Sequence, residues 1–424
     1  MVARGQLVLL CSTTFLYALC FMAQAPLLPY MIDKLGAKES NTYGLLMSTF
    51  SGLQLVGSLL SGPLVDAYGG KLLLIISFAS SAACYTMTAT ASSIWMLFVS
   101  RLATLMQHAV LAARTIVTAQ SPADERAALL GYIGASYGLG FALGPAAGGL
   151  LSSISLQATA WAAAAGSVLA LAIVALLLPA DSPSKQQQQQ QQQYKEHSMS
   201  SSGSSNGAAA PAPQQQRAFS IASLAAVVQH PGVPSLLLVQ ACSGLAQSVF
   251  QSTFSLLIKK QYGLSSKANG MMLSYVGCCI VFAQAVVIKP VSKRIGETAA
   301  VRGGCGLLVL SFLALGSCRE LWQLLACLLP LAVAGVTVAT LNVARLTKAV
   351  PTSQAGTVMA LDMSLGSGLR TVAPLLGTWM MQRYGYPAVA GSCAALVLAA
   401  LLQQLAIGRQ AVVASAGQQE KKVQ

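Results

Sequence analysis

Four ionisable side chains lie inside long apolar segments of this sequence: Arg101, His108, Asp362 and Arg370. A charge in such surroundings is costly unless it faces water, a partner of opposite charge or a ligand. A guanidinium there can bind an anionic group, whereas a carboxylate or an imidazole can bind and release a proton. These four residues are therefore the first candidates for binding an ionic substrate or for coupling its movement to protons.

The balance of these charges bears on the kind of ligand. Asp362 is the one deeply embedded carboxylate, and it stands against two embedded arginines, Arg101 and Arg370. A cavity with that balance favours an anion, unless Arg370 and Asp362 form an internal pair. For His108, a neutral imidazole that is hydrogen-bonded inside the fold is the simpler interpretation.

Uncharged polar residues also occur within the apolar segments. Gln24, Gln247 and Asn342 are candidates for contact with a ligand, although some members of the set are expected to hydrogen-bond between helices instead. The other polar residues with this pattern are Gln54, Gln107, Gln240, Gln251 and Gln284.

A short polar segment, residues 62–71, follows the first two apolar segments and contains Gly62, Asp66, Gly69 and Lys71. A weaker copy, residues 289–296, occupies the equivalent place in the second half of the chain. A matched pair of loops indicates a duplicated protein with two similar helical bundles.

Asp66 in this segment is a candidate for a gate. A carboxylate there can contact the positive N-terminus of a later helix, near Gly356, and basic residues such as Arg126. Such a contact would hold one side of the protein shut in one of two conformations. The alternative is that Asp66 is a solvated turn residue.

A glycine-rich segment indicates close helix packing. Gly140, Gly144 and Gly148 recur every four residues on one helix face, where the absence of side chains lets a neighbouring helix approach closely. Gly149 follows directly, and Pro145 removes one backbone hydrogen bond and permits a bend.

Composition places all these residues in a membrane protein. Only 8% of the 424 residues are charged and 55% are hydrophobic, with a mean hydropathy of +0.64. A soluble domain has roughly 25% charged residues, so we predict an all-α membrane protein with twelve transmembrane spans in two six-helix bundles. All ten cysteines lie in or at the ends of the apolar segments, where Cys behaves as a small apolar residue. The predicted spans, numbered 1 to 12, cover residues 7–32, 43–63, 71–90, 94–118, 128–152, a sixth ending near Pro179, 233–258, 268–288, 300–318, 321–347, 355–381 and 386–408.

The composition changes abruptly between the two halves. Residues 180–232 contain a glutamine run and tracts of Ser, Gly, Pro and Ala, which predict a disordered linker whose last part, 217–230, forms a helix on the membrane surface. This linker separates an N-terminal bundle, 1–179, from a C-terminal bundle, 233–408. Residues 409–424 form a polar tail.

Orientation follows from the basic residues. With both termini on the inner side, that side has more than twice as many Lys and Arg residues as the outer side, so we expect the termini and the linker in the cytoplasm. The net charge of +14 fits this arrangement better than a nucleic-acid surface, because the basic residues are spread over short loops.

Arg4 and residues 23–25 imitate a signal peptide, but the apolar run continues to Ile32 and predicts an uncleaved first span. We expect a plasma-membrane or endomembrane location.

The segment 62–71 resembles the signature of the major facilitator superfamily, Gly-x-Leu-x-Asp-Arg-x-Gly-Arg-Lys, but it has Ala67 and Gly70 where the family has arginine. Arg101 is similar to the arginine of the family's fourth-span signature, and residues 140–149 are similar to the fifth-span signature of drug–proton antiporters. Nearly the whole chain resembles organic-cation-transporter-like members of solute carrier family 22. The matching segments are Ser100–Leu102, Pro122–Arg126, Thr340–Val343, Lys348–Val350 and Leu369–Thr371.

The resemblance implies a monomeric secondary transporter that moves organic cations or drug-like molecules in exchange for protons, with Asp66 as part of the gate. It implies no cofactor and no metal, and we expect no enzyme activity because we find no nucleophile–base set or phosphate loop. Two alternatives stay open. One is an organic anion carrier or uniporter without proton coupling, and the other is a non-transporting receptor or scaffold that uses the linker for docking.

Overall fold

The structure, a computed structural model, describes residues 4–37, 40–179, 227–230, 232–351 and 354–423, and its regular elements in these ranges are all helical. Ten helical segments are long and apolar enough to cross a membrane. Two further helices, at predicted spans 5 and 11, have 30 residues each. The prediction of an all-α membrane protein is therefore confirmed. Most of the predicted linker, with most of its surface helix, lies outside the described residues.

In the N-terminal half, the described residues form eight helices that make up spans 1 to 6. A 3₁₀ turn, Ala103–Met106, joins the two helices of span 4. The helices are α1 (Arg4–Ala23), α2 (Leu28–Lys34), α3 (Ser40–Tyr68), α4 (Gly70–Ala89), α5 (Ile94–Leu102), α6 (Ala109–Gln120), α7 (Ala123–Ser152) and α8 (Leu156–Leu177).

From Val233 onward, the described part of the chain forms seven helices that make up spans 7 to 12. A π-helical segment, Ala283–Val287, joins the two helices of span 8. The helices are α9 (Val233–Tyr262), α10 (Ser266–Phe282), α11 (Ile288–Ile295), α12 (Glu297–Ser317), α13 (Leu321–Lys348), α14 (Ala355–Tyr384) and α15 (Tyr386–Val423).

Four predicted helix outlines are wrong. Span 1 is interrupted by a turn between α1 and α2, beside Pro26, which has no N–H group to continue the helix. Span 4 is interrupted at Gln107 and His108. Span 2 does not end at Pro63, because α3 continues to Tyr68 with the proline inside it. The helix of span 12 also extends through the predicted tail to Val423.

The helix ends lie at two opposite faces of the molecule. We call the face with Arg4 and Gly69 the proximal face, and the face with Lys34 and Gly263 the distal face. At the proximal face Gly69 and Gly296 occupy equivalent turns, between α3 and α4 and between α11 and α12, with φ of +87° and +79°. Side chains rarely adopt such a backbone conformation, so the matched glycines of the two polar segments make matched turns.

Candidate functional site

A cavity of about 120 Å³ lies inside the N-terminal bundle, where spans 1 to 4 come together. Its wall is mostly apolar, with a small group of polar side chains. The polar lining residues are Gln24, Tyr85, Arg101, Thr104 and Gln107, and the apolar ones are Phe21, Met22, Ala25, Leu28, Leu46, Met47, Phe50 and Cys84. Among the described residues, this lining contains one positive charge and no carboxylate.

Arg101 is the charged group of this cavity and is only 5% exposed. Its Nη2 donates a hydrogen bond to Thr88 Oγ1 at 2.7 Å, and its Nε donates to Ser100 Oγ at 3.2 Å. Both partners are neutral hydroxyl groups, so they position the guanidinium without neutralising it. The uncompensated charge makes the cavity electropositive.

Three other polar lining residues contain buried atoms that have no hydrogen-bond partner within the described part of the structure. These atoms are both side-chain polar atoms of Gln24, the hydroxyl of Tyr85 and Nε2 of Gln107. Buried polar groups are normally hydrogen-bonded, and unsatisfied ones often mark a site for a ligand or water. Together with Arg101 they form a set of donors around one small space.

The interruption of span 4 places Arg101 and Gln107 on this cavity. Tyr17 Oη donates to the Gln107 carbonyl at 2.9 Å, and Gln54 Nε2 donates to the Thr104 carbonyl at 3.3 Å. Tyr17 thereby satisfies the Gln107 carbonyl at the break, whereas the Thr104 carbonyl also accepts from the Gln107 N–H at 3.1 Å. A side chain at Gly57 would collide with the Leu105 carbonyl, so span 2 also fits closely against the interruption.

His108 caps the start of α6 beside this site, but it is not a lining residue. Its backbone N–H donates to Ser77 Oγ at 3.1 Å, and its Nε2 is buried without a hydrogen-bond partner. The structure therefore brings together Arg101 and Gln24 of the predicted ligand candidates, with Gln107 from the wider polar set. Tyr85 was missed, although its spacing with Thr88 on one face of α4 was an available signal.

The predicted candidates of the C-terminal half lie elsewhere. Asn342 is fully buried and donates to the Leu236 carbonyl at 3.0 Å, and the amide of Gln247 packs against Gly335. Asp362 is partly buried, and its Oδ1 has no hydrogen-bond partner. Arg370 is exposed and donates to Ser367 Oγ at 3.0 Å. The internal pair that we considered for Asp362 and Arg370 is not formed between these two side chains.

The predicted gate residues lie at the proximal face. Lys71 Nζ donates to the Leu178 carbonyl at 2.5 Å, at the end of α8 and within the same bundle. Arg126 Nη2 donates to the Ser121 carbonyl at 3.4 Å. A Cβ added at Gly62 would have no atom of another described element within 4 Å. Asp66 belongs to α3, and its side chain lies outside the described part of the structure.

The glycines of span 5 pack against two different helices. A Cβ added at Gly140 would lie 2.6 Å from Ala18 Cβ, and one at Gly144 would lie 2.7 Å from the Leu19 carbonyl oxygen, both in α1. A Cβ at Gly148 would collide with the Ala23 carbonyl. Gly149 instead faces α10, at the neighbouring bundle. Pro145 lies within the same stretch of α7.

We expect Gly148→Ala to destabilise the protein by about 1–3 kcal/mol, the usual cost of overpacking a closely packed site. The matched control is Gly134→Ala in the same helix, where no heavy atom lies within 4 Å of the added carbon. The measurement is thermal unfolding of the purified full-length protein in detergent. Equal melting temperatures for the two variants would contradict the assigned contact with Ala23.

The two bundles meet along two seams, α7 against α10 and α3 against α14. Both seams are tight toward the distal face and widen toward the proximal face. A Cβ added at Gly149 of α7 would lie 2.8 Å from the nearest atom of α10, and one added at Gly138 would lie 3.9 Å from α10. A Cβ added at Gly134 would have no atom of another described element within 4 Å. Along α3, the corresponding distances to α14 are below 3 Å at Gly44 and 3.6 Å at Gly52. The space between the bundles therefore opens toward the proximal face.

Polar contacts between the bundles gather at the distal face. Lys259 of α9 forms an ion pair with Asp33 of α2 and donates to the Pro29 carbonyl at 2.6 Å. Its Nζ also lies 5.0 Å from the centre of the Tyr30 ring. Tyr30 Oη donates to the Leu264 carbonyl at 2.6 Å. We call the set Pro29, Tyr30, Asp33 and Lys259 the distal latch.

Two helical bundles that meet closely at one face and separate toward the other, with a cavity that contains polar side chains inside the first bundle, indicate a multi-pass membrane transporter of small molecules. Comparison with known proteins agrees with this class. The sequence profile of the Major Facilitator Superfamily matches residues 10–369 and 236–421. The chain belongs to the major facilitator superfamily, which confirms the predicted family and fold.

Individual relatives match over most of their length. Solute carrier family 67 member A1 of Homo sapiens is 30% identical, over 87% of this chain and 84% of that protein. Solute carrier family 22 member 18 of Mus musculus is 28% identical, over 91% of each. Among solved structures, the human organic anion transporter MFSD10 (TETRAN) aligns with a TM-score of 0.63 at 23% identity, covering 95% of this chain and 99% of that one.

Proposed function

We propose that the protein carries a small organic anion across a membrane, with Arg101 as the group that binds the anionic end of the substrate. The observation that supports this most is the buried guanidinium of Arg101 in a cavity whose lining has no carboxylate. Hydrogen bonds that involve a charged group are among the strong ones in proteins. The unsatisfied amides of Gln24 and Gln107 are additional donors for the same anionic group.

The size of the cavity bears on the class of substrate. Pockets for drug-sized ligands usually measure about 300–1,000 Å³, whereas this one measures about 120 Å³. The rest of its wall is apolar and includes Phe21 and Phe50. These features favour a compact carboxylate with a small apolar body over the drug-like organic cation that the family resemblance implies. The human organic anion transporter of similar fold indicates that this fold can carry anions.

Movement of the substrate follows from alternating access. The closed distal face and the open proximal face represent one end state, and opening of the distal latch gives the other. We further propose that the proximal face is cytoplasmic, as the distribution of basic residues predicts. The gate at Gly62, Asp66, Gly69, Lys71 and Arg126 then acts in the other end state, when the proximal face is closed.

A second candidate function is exchange of an organic cation for protons through Asp362. Its support is the buried Oδ1 atom of Asp362, which has no hydrogen-bond partner and lies on a helix of the bundle seam. A carboxylate of this kind can bind a proton in one conformation and release it in the other.

If Asp362 couples transport to protons, Asp362→Asn should remove the dependence of uptake on a pH gradient, because the amide does not titrate. For an uncoupled anion carrier, uptake should change less than about twofold and remain indifferent to the gradient. Ser367→Ala, a neutral change on the same helix, is the control for general damage to α14.

The experiment that tests the proposal is uptake into proteoliposomes, with and without a pH gradient, for paired small organic anions and organic cations. Saturable anion uptake that is independent of the gradient is the expected result. Gradient-driven uptake of cations alone would exclude the anion proposal and favour the second candidate.

A further inference from the structure

Two cysteine side chains touch at the distal face. Cys318 follows the last residue of α12, and Cys327 lies near the start of α13, with their sulfur atoms 3.7 Å apart. Both are free thiols in the structure. The S–S bond of a disulfide measures about 2.05 Å, so a small movement of the short α12–α13 connection would bring the two sulfurs within bonding distance.

We propose that Cys318 and Cys327 form a reversible disulfide, made by exchange with a small-molecule disulfide such as oxidised glutathione. The site goes beyond the transport function and does not depend on the identity of the substrate. With the proximal face in the cytoplasm, the pair lies on the extracellular or lumenal side, where disulfides persist.

The surroundings of the pair hold one sulfur in place and leave the other more accessible. Cys318 is 5% exposed, and its sulfur contacts the Ala314 carbonyl at 3.2 Å. Its own carbonyl accepts hydrogen bonds from Gln261 Nε2 at 3.0 Å and Tyr262 Oη at 3.3 Å, at the end of α9. Cys327 is only partly buried. The reaction therefore begins at Cys327, and Cys318 completes it.

The exchange takes place in two steps that balance. The Cys327 thiolate attacks one sulfur of oxidised glutathione, which breaks the glutathione S–S bond and releases one glutathione thiolate. The Cys318 thiolate then attacks Cys327 Sγ of this mixed disulfide and releases the second glutathione. The two cysteines lose two electrons and two protons, and the two glutathione molecules gain them as thiols. Excess reduced glutathione or dithiothreitol reverses both steps.

The second step should depend on pH. Burial, and after it the contact with Cys327, raises the pKa of the Cys318 thiol. A thiol with a raised pKa is protonated at neutral pH, and the thiolate is the attacking form. Closure of the disulfide should therefore be faster at pH 9 than at pH 7.

The test uses the full-length protein in proteoliposomes, treated with oxidised glutathione or with dithiothreitol. Free thiols are then blocked with N-ethylmaleimide, and tryptic peptides are analysed by mass spectrometry. Because trypsin cleaves after Arg319, between the two cysteines, the disulfide should join two peptides that separate on reduction. Recovery of most of the protein as this linked pair is expected after oxidation.

Cysteine-to-serine variants show which sulfur atoms form the disulfide. Cys305 lies on the same tryptic peptide as Cys318, so Cys305→Ser is the matched control and should preserve the linked pair. Cys318→Ser should abolish the linked pair and leave Cys327 with one added glutathione, the trapped first step. Full alkylation of both cysteines in the oxidised wild-type protein would overturn the proposal, as would loss of the link in Cys305→Ser alone.

Discussion

Replacing Arg101 by glutamine should lower the apparent affinity for an organic anion by about tenfold to a hundredfold. A hydrogen bond to a charged group contributes about 1.5–3 kcal/mol, and each 1.4 kcal/mol corresponds to a tenfold change. Glutamine keeps a polar side chain near Thr88 and Ser100 but removes the charge. The measurement is the concentration dependence of anion uptake into proteoliposomes, with the amount of folded protein matched between variants.

Two controls separate the role of Arg101 from a general effect of charge. Arg101→Lys retains the positive charge but loses the paired donors, so we expect an affinity between those of the wild type and Arg101→Gln. Arg370→Gln removes an arginine of span 11 that does not line the cavity. This variant should change the affinity for the anion by less than about threefold. Unchanged anion uptake in Arg101→Gln would show that the cavity is not the substrate site.

The amino-acid sequence was sufficient to predict the class of protein, because low charge and repeated apolar segments leave a bilayer as the only suitable surroundings. It also predicted the duplication, through the polar segments that contain Gly69 and Gly296. The interruption of span 4 could not be predicted in the same way. Its sequence has no proline or glycine, and the side chains that donate to its carbonyl groups, Tyr17 and Gln54, come from other spans.

Only part of the candidate site could be predicted, because its residues come from several different spans. Arg101 and Gln24 stood out because polar groups are conspicuous in apolar segments, and the structure places both at one cavity. Their relation to Tyr85 depends on how spans 1, 3 and 4 are rotated, which a single sequence does not specify. The contact between Cys318 and Cys327 likewise depends on helix rotation, so all ten cysteines had the same apolar interpretation.

Under the proposed alternating access, the distal latch must open before the substrate can pass through the distal face. The two polar contacts of Lys259, with Asp33 and with the Pro29 carbonyl, differ in strength. The Asp33 side chain is 50% exposed, and such a surface pair contributes only about 0–1 kcal/mol. The Lys259 side chain is 17% exposed, and its bond to the Pro29 carbonyl is therefore better shielded from water. Loss of Lys259 should consequently open the distal face more than loss of Asp33.

We expect Lys259→Gln to shift the balance between closed and open distal faces by about tenfold, since a charged hydrogen bond contributes about 1.5 kcal/mol at the lower end of its range. Asp33→Asn should produce a smaller shift in the same direction. The readout is alkylation by a membrane-impermeant maleimide at Ser266→Cys, a buried position in the seam whose hydroxyl contacts Ser152. Arg383→Gln removes an exposed charge from the same face as a control and should leave the alkylation rate unchanged. Equal rates in Lys259→Gln and Arg383→Gln would show that the bundles are held together elsewhere, along the glycine contacts of α7 and α10.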